Sequence, residues 1–245
     1  MTPEDVVRQT KQVVTTIGAA FGDDPGYRAR GTKLGLSRWP FYFGGRAGVL
    51  GEVEAGVVAA ACGFFAPDLV GEAWAAARAT VPLGEIVAAD VEECIRWGRT
   101  AYGDLDDLDR LAGLLERVVA AADPSGRPLF AAWRAFPAAH DGDPAARTAL
   151  ALLRLREHRG SSHLIAVLAS GLTPLRAILT GRDARKAEAN GWHGPWPEPR
   201  QADEAALAQA HRLTDELAAA PYATLTENER TDLATMLRHI GRRGT

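Results

Sequence analysis

Apolar residues recur three and four positions apart along most of the chain, a spacing that predicts helices and gives no convincing strand. Thr2 as N-cap, Pro3 at the first helical position and the stripe Val6, Val7, Val13, Val14 and Ile17 predict a first helix ending near Phe21. Asp23-Asp24-Pro25-Gly26 breaks it. The segment Leu34 to Leu50 is rich in glycine and aromatic residues, which points to close packing or a ligand contact. Helical patterns follow from Val53 to Cys62, Pro67 to Val81, Pro82 to Tyr102, and Leu105 to Ala122, the last with Asp104 as cap. Asp123-Pro124-Ser125-Gly126-Arg127-Pro128 is a strong turn signal. It divides the chain into an N-terminal helical bundle, 1–125, and a helix-turn-helix-like region, 126–245, expected to pack on it.

In the second half, a short aromatic segment, Leu129 to Phe136, precedes a helix from Pro144 that Gly160 should stop, with Ser161 or Ser162 capping a new helix through Ala169. Thr173 and Pro174 open a third helix ending near Gly181, and Asp183 to Ala189 forms a short fourth. This succession of short helices and tight turns resembles a helix-turn-helix. The prolines of Gly191–Pro199 exclude helix there, and its two tryptophans argue for a partly ordered loop. Helices from Ala202 to Ala219 and from Glu227 to about Arg242, capped by Thr226, complete an all-α, multi-helix bundle.

Composition adds exclusions. A net charge of −3 with acids and bases interspersed offers no broad footprint for nucleic acid or anionic membrane. Cys62 and Cys94 lie in apolar helical surroundings without Cys-x-x-Cys spacing, which suits reduced core thiols. No apolar stretch reaches membrane-spanning length, and Met1-Thr2-Pro3-Glu4-Asp5 does not begin like a signal peptide, so a cytoplasmic location is expected.

Polar chemistry is concentrated in Leu155-Arg156-Glu157-His158-Arg159-Gly160-Ser161-Ser162-His163. On one straight helix His158 and His163 would diverge by roughly 140°, a poor geometry for a shared metal, and no third ligand is spaced nearby. If Gly160 turns the chain, both can serve one pocket as general acid and base, Glu157 setting a tautomer. The competing interpretation is that the histidines cap a helix end. Trp39-Pro40-Phe41-Tyr42-Phe43-Gly44-Gly45-Arg46 is a second candidate, with Arg46 able to grip a carboxylate or phosphate. Such an aromatic stripe also suits a core. Arg182, Arg185 and Lys186 form the best local cation cluster for DNA, and three cations are few. No nucleophile elbow, phosphate loop or dinucleotide fingerprint is present.

Phe43-Gly44-Gly45-Arg46-Ala47 with Leu50-Gly51, Phe65-Ala66-Pro67, the run Ala121 to Ala132, Leu155 to Gly160 with His163, Gly191-Trp192, and Thr214 to Tyr222 form a recognisable set. Together they resemble the actinobacterial SalK-like or SCO-type helix-turn-helix proteins, often labelled relatives of MarR regulators. The resemblance implies an all-α architecture with a degenerate winged-helix region between about Ala145 and Ala220, and an association with specialised metabolism. The chain departs from that pattern at Ser161-Ser162, at Ala149-Leu150, and after Gly191-Trp192, where the proline-tryptophan loop replaces the wing.

These observations lead to a small-molecule-binding protein of specialised metabolism, expected to be a tailoring enzyme for cyclisation, proton transfer or dehydration. His158 and His163 would be its catalytic acid and base, and Tyr42, Arg46, Glu157 and Arg159 would hold the substrate. No metal or cofactor is called for. The expected partner is a small-molecule ligand or substrate; DNA is disfavoured, a membrane is not expected, and a homodimer stays open. The alternative is a ligand-responsive MarR-like DNA-binding regulator reading DNA through Asp183 to Ala189. A third is an interaction protein using the Trp192–Trp196 loop.

Overall fold

Helix starts are well encoded in this chain. Thr2 caps α1 (Pro3–Ala20) in a reciprocal box with Asp5, and Asp24 accepts from the Gly26 amide to start α2 (Pro25–Lys33). The Asp-Pro-Gly run therefore ends one helix and opens another. There follow α3 (Arg38–Ala47), α4 (Ala55–Cys62), α5 (Pro67–Thr80) and α6 (Leu83–Tyr102). Then come α7 (Leu108–Ala121), α8 (Pro128–Ala135), α9 (Pro144–Ala169), α10 (Pro174–Thr180), α11 (Ala184–Ala189), α12 (Gln201–Ala219) and α13 (Glu227–Arg243). The structure is a computed structural model and describes residues 1–137 and 142–243, among which there is no strand. It is all-α, as expected.

The bundle is organised around α9, which packs against α1, α6, α7, α8 and α12. Its buried side chains, among them Leu150, Leu152, Leu153 and Leu155, point to several sides, as befits a helix enclosed by neighbours. Two of those neighbours approach at glycines. A Cβ on Gly18 would lie 2.8 Å from the Leu152 carbonyl oxygen, and one on Gly98 would lie 2.8 Å from the Ala149 Cβ. Buried Arg154 donates from Nε to the Trp133 carbonyl (3.0 Å) and from Nη2 to that of Phe136 (2.9 Å), closing the C-terminus of α8.

Three expectations need correction. The helix does not stop at Gly160; α9 runs through it unbroken to Ala169. A glycine inside a helix costs only about 1 kcal/mol relative to alanine, and packing on both sides of the position outweighs that. Ser162, expected to cap a new helix, instead donates back to the His158 carbonyl (2.8 Å) and accepts from Arg127 Nε (3.0 Å). The glycine-aromatic segment is helical as α3. Its paired glycines serve close packing: a Cβ on Gly44 would lie 2.9 Å from Ile86 Cγ2, and one on Gly45 2.5 Å from Asp90 Oδ1. Finally, α7 begins at Leu108 rather than Leu105, after Asp107 adopts a left-handed conformation.

The Gly191–Pro199 loop is held from within. Asn190 Nδ2 and Trp192 Nε1 both donate to the Phe64 carbonyl, each at 3.0 Å. Trp192 and Trp196 pack over Ile178, Leu179 and Ala187 of α10 and α11. No single helix among the described residues is long and apolar enough to cross a membrane.

Candidate functional site

Because α9 is continuous, its two histidines lie on different faces. His158 is 2% exposed, with Phe130 of α8 meeting its ring edge-on at 4.9 Å. Burial, aided by the positive charge of Arg127, pushes its pKa down to about 4, so the ring is neutral at pH 7. His163 faces α12 and the segment after α4. Its ring stacks on Phe64 at 5.2 Å and lies 5.7 Å from that of His211. Burial, His211 and Arg159 hold its pKa at about 4 as well.

The hydrogen bonds define the His163 tautomer. Thr214 Oγ1 gives its proton to the Ala210 carbonyl (2.6 Å), so at the 3.0 Å contact with His163 Nδ1 it must accept. Nδ1 of the neutral ring therefore carries the proton, and Nε2 keeps the lone pair.

A cleft of about 280 Å³ opens between α3, α4, α9 and α11. Tyr42 and Arg46 line it from α3, Arg156, Arg159 and His163 from α9, Lys186 from α11, and Phe64 and Phe65 from the segment after α4. Thus Tyr42, Arg46, Arg159 and His163, singled out in the sequence, come together. His158 does not join them, and Glu157 sits behind the cleft wall.

Glu157, 2% exposed, is gripped by two guanidiniums. Arg46 Nε and Nη2 meet its two oxygens at 2.9 Å each, and Arg156 Nη1 lies 2.5 Å from Oε1. Burial alone would raise the Glu157 pKa; Arg46 and then Arg156 overcome it and hold the carboxyl below its ordinary value. Arg46 also donates to the Tyr42 hydroxyl (3.2 Å). Asp215 is shared in the same way, by Arg159 (3.0 Å) and Lys11 (2.6 Å). Each carboxylate faces two cations, which leaves one positive charge in each cluster. Lys186 adds another, with no carboxylate in ion-pair reach among the described residues, and Arg159 Nε is buried without a hydrogen-bond partner.

On the far side of Arg46 and Glu157 lies a second cavity, of about 30 Å³, where Tyr27 and Asp90 join Tyr42, Arg46, Arg156 and Glu157. It has room for about one water. Asp90 is 2% exposed and accepts from the Tyr27 hydroxyl at 2.8 Å; burial raises its pKa to about 7 against the opposing pull of Tyr27 and Arg156. Sequence reasoning missed Asp90, although an acid inside the apolar stripe Ile86, Val87, Asp90, Val91 and Cys94 was a visible signal. It also missed Arg156 and the cleft role of Lys186, which only the tertiary fold brings near. Among the described residues, no three His, Cys, Asp or Glu side chains converge as metal ligands.

Residues 7–202, from the first turns of α1 to the start of α12, match the model of a helix-turn-helix family. No curated protein and no solved structure matches the chain. The matched span takes in the whole of the α3, α4, α9 and α11 framework around the cleft, together with the α10–α11 pair, and the chain belongs to this helix-turn-helix family.

Proposed function

We propose that the protein binds a small organic anion in the cleft between α3, α4, α9 and α11. One observation supports this above the rest: among the described residues, the lining holds Arg46, Arg156, Arg159 and Lys186 beside the rings of Tyr42, Phe64 and Phe65, and no carboxylate. Guanidinium and ammonium groups beside an apolar wall suit a carboxylate or other oxyanion on a hydrocarbon body. His163 gives the site a proton acceptor. Its ring is neutral at pH 7 with Nδ1–H committed to Thr214, so Nε2 is the atom that would take a proton from the bound molecule. Proton transfer, cyclisation or dehydration in a tailoring step of specialised metabolism would use this group, with Arg159 and Lys186 stabilising negative charge on oxygen.

Calorimetric titration with benzoate and with uncharged benzyl alcohol tests the binding. Benzoate is expected to bind and benzyl alcohol to bind at least tenfold more weakly, with Lys186→Gln and Arg159→Gln each reducing benzoate affinity by roughly tenfold. Equal affinity for the two probes would overturn the proposal.

The family match favours a second reading, a DNA-binding regulator in which α10 and α11 form the helix pair. With six residues, α11 is about 9 Å long, short for a recognition helix, and its Lys186 lines the cleft. Anisotropy titration of a duplex from upstream of the gene, at two salt concentrations, tests it. Tight, salt-sensitive binding lost in Arg182→Ala/Arg185→Ala would make the cleft an effector site.

A further inference from the structure

The cationic cleft has an apolar neighbour. A groove of about 480 Å³ runs between α4 and α9, floored by Gly56, Val57, Ala60 and Pro128, and shares three lining residues, Ala61, Ser161 and Leu164, with the cleft. Leu164 stands at the junction, its side chain lodged over Gly63, where a Cβ would lie 2.6 Å from the leucine methyls. The large hydrophobic side chains that stand exposed among the described residues are Val57 (48%) and Leu168 (55%). Val57 lines the groove, and Leu168 lies one turn beyond Leu164 on the same face of α9.

Charge at one end and apolar surface continuing from it describe the receptor of an amphipathic molecule. We infer that the ligand is an acyl-chain carboxylate, its head among Arg46, Arg156, Arg159 and Lys186 and its hydrocarbon tail laid past Ala61 and Leu164 into the groove of Val57 and Ala60. This rests on the anion-binding proposal and adds the tail. The groove carries no cation or carboxylate among its lining residues, so it offers a tail only apolar contact. Contact of that kind makes affinity depend on chain length. Full burial of a methylene is worth about fourfold in affinity, and a half-open groove about twofold.

The experiment is calorimetric titration of the full chain with butyrate, hexanoate, octanoate and decanoate, all kept below aggregation, with octan-1-ol as the uncharged control. Affinity is expected to rise about fourfold per two-carbon step, and octanol to bind more weakly than octanoate. Ala61→Phe, which fills the junction, should flatten the dependence. Val57→Ser/Leu168→Ser, changed at exposed positions that folding does not depend on, should reduce it. If butyrate and decanoate bind equally well, or the rise persists unchanged in both variants, the tail assignment is overturned while anion binding stands. If no carboxylate of any length binds, the anion-binding proposal itself fails.

Discussion

His158 and His163 stand five residues apart on one helix, and burial drives both pKa values down to about 4; their surroundings nevertheless have little in common. The His158 side of α9 is nearly closed: Phe130 covers the ring, Ser162 and Arg127 complete the polar contacts beside it, and the cavity that His158 lines has only about 10 Å³. The His163 side opens onto cations, aromatic walls and a ring nitrogen with its lone pair free. A depressed histidine pKa therefore reports desolvation on both sides and does not by itself distinguish a packed residue from a reactive one. The hydrogen-bond partners and the neighbouring space make that distinction.

The comparison can be broken most severely at Glu157, which precedes His158 in the chain and holds Arg46 and Arg156 of the cleft wall. Glu157→Ala leaves Arg46 and Arg156 without their shared carboxylate, and a loss of about 3–5 kcal/mol in urea unfolding is expected. His158→Ala should cost about 2–3 kcal/mol through the cavity it opens against Phe130, with benzoate affinity unchanged. His163→Gln should cost less stability and abolish any proton transfer on a bound ligand.

Acid provides a further probe. Both histidines are neutral in the fold down to about pH 4, whereas in the unfolded chain they take up protons from about pH 6.5. Their contribution is complete above pH 6.5 and falls as pH drops toward 4. Asp90 acts with the opposite sign: the fold retains its proton up to about pH 7, while the unfolded chain releases it near pH 4, so its contribution falls as pH rises through that window. Asp90→Asn should remove this opposing slope and make stability climb more steeply between pH 4 and 7 in unfolding curves. The smallest change in stability is expected for exposed Lys186→Gln, within about 0.5 kcal/mol, although it weakens anion binding.

Much of the helical order was legible because caps and prolines are local signals. Thr2-Pro3, Thr173-Pro174 and Thr226 mark helix starts that the structure reproduces closely. Gly160 misled because its local cost is small beside the packing that only the fold supplies. Gly44 and Gly45 were ambiguous for a related reason: their purpose depends on Ile86 and Asp90, more than forty positions away. In the candidate site, Tyr42, Arg46, Arg159 and His163 were visible as residue types able to do chemistry. The separation of His158 from His163 followed from helix geometry once the break at Gly160 was removed. Arg156 and Lys186 gave no comparable signal, since their relevance comes from the convergence of α9 and α11.

The Phe64 carbonyl accepts from Asn190 and from the Trp192 indole, while the Phe64 ring lies flat on His163. One residue thus ties an indole to the wall of the cleft and equips the protein with an optical reporter of its own. A molecule whose binding displaces the Phe64 backbone disturbs the hydrogen bond on the indole nitrogen, so the difference in emission between wild type and Trp192→Phe becomes a label-free gauge of that displacement.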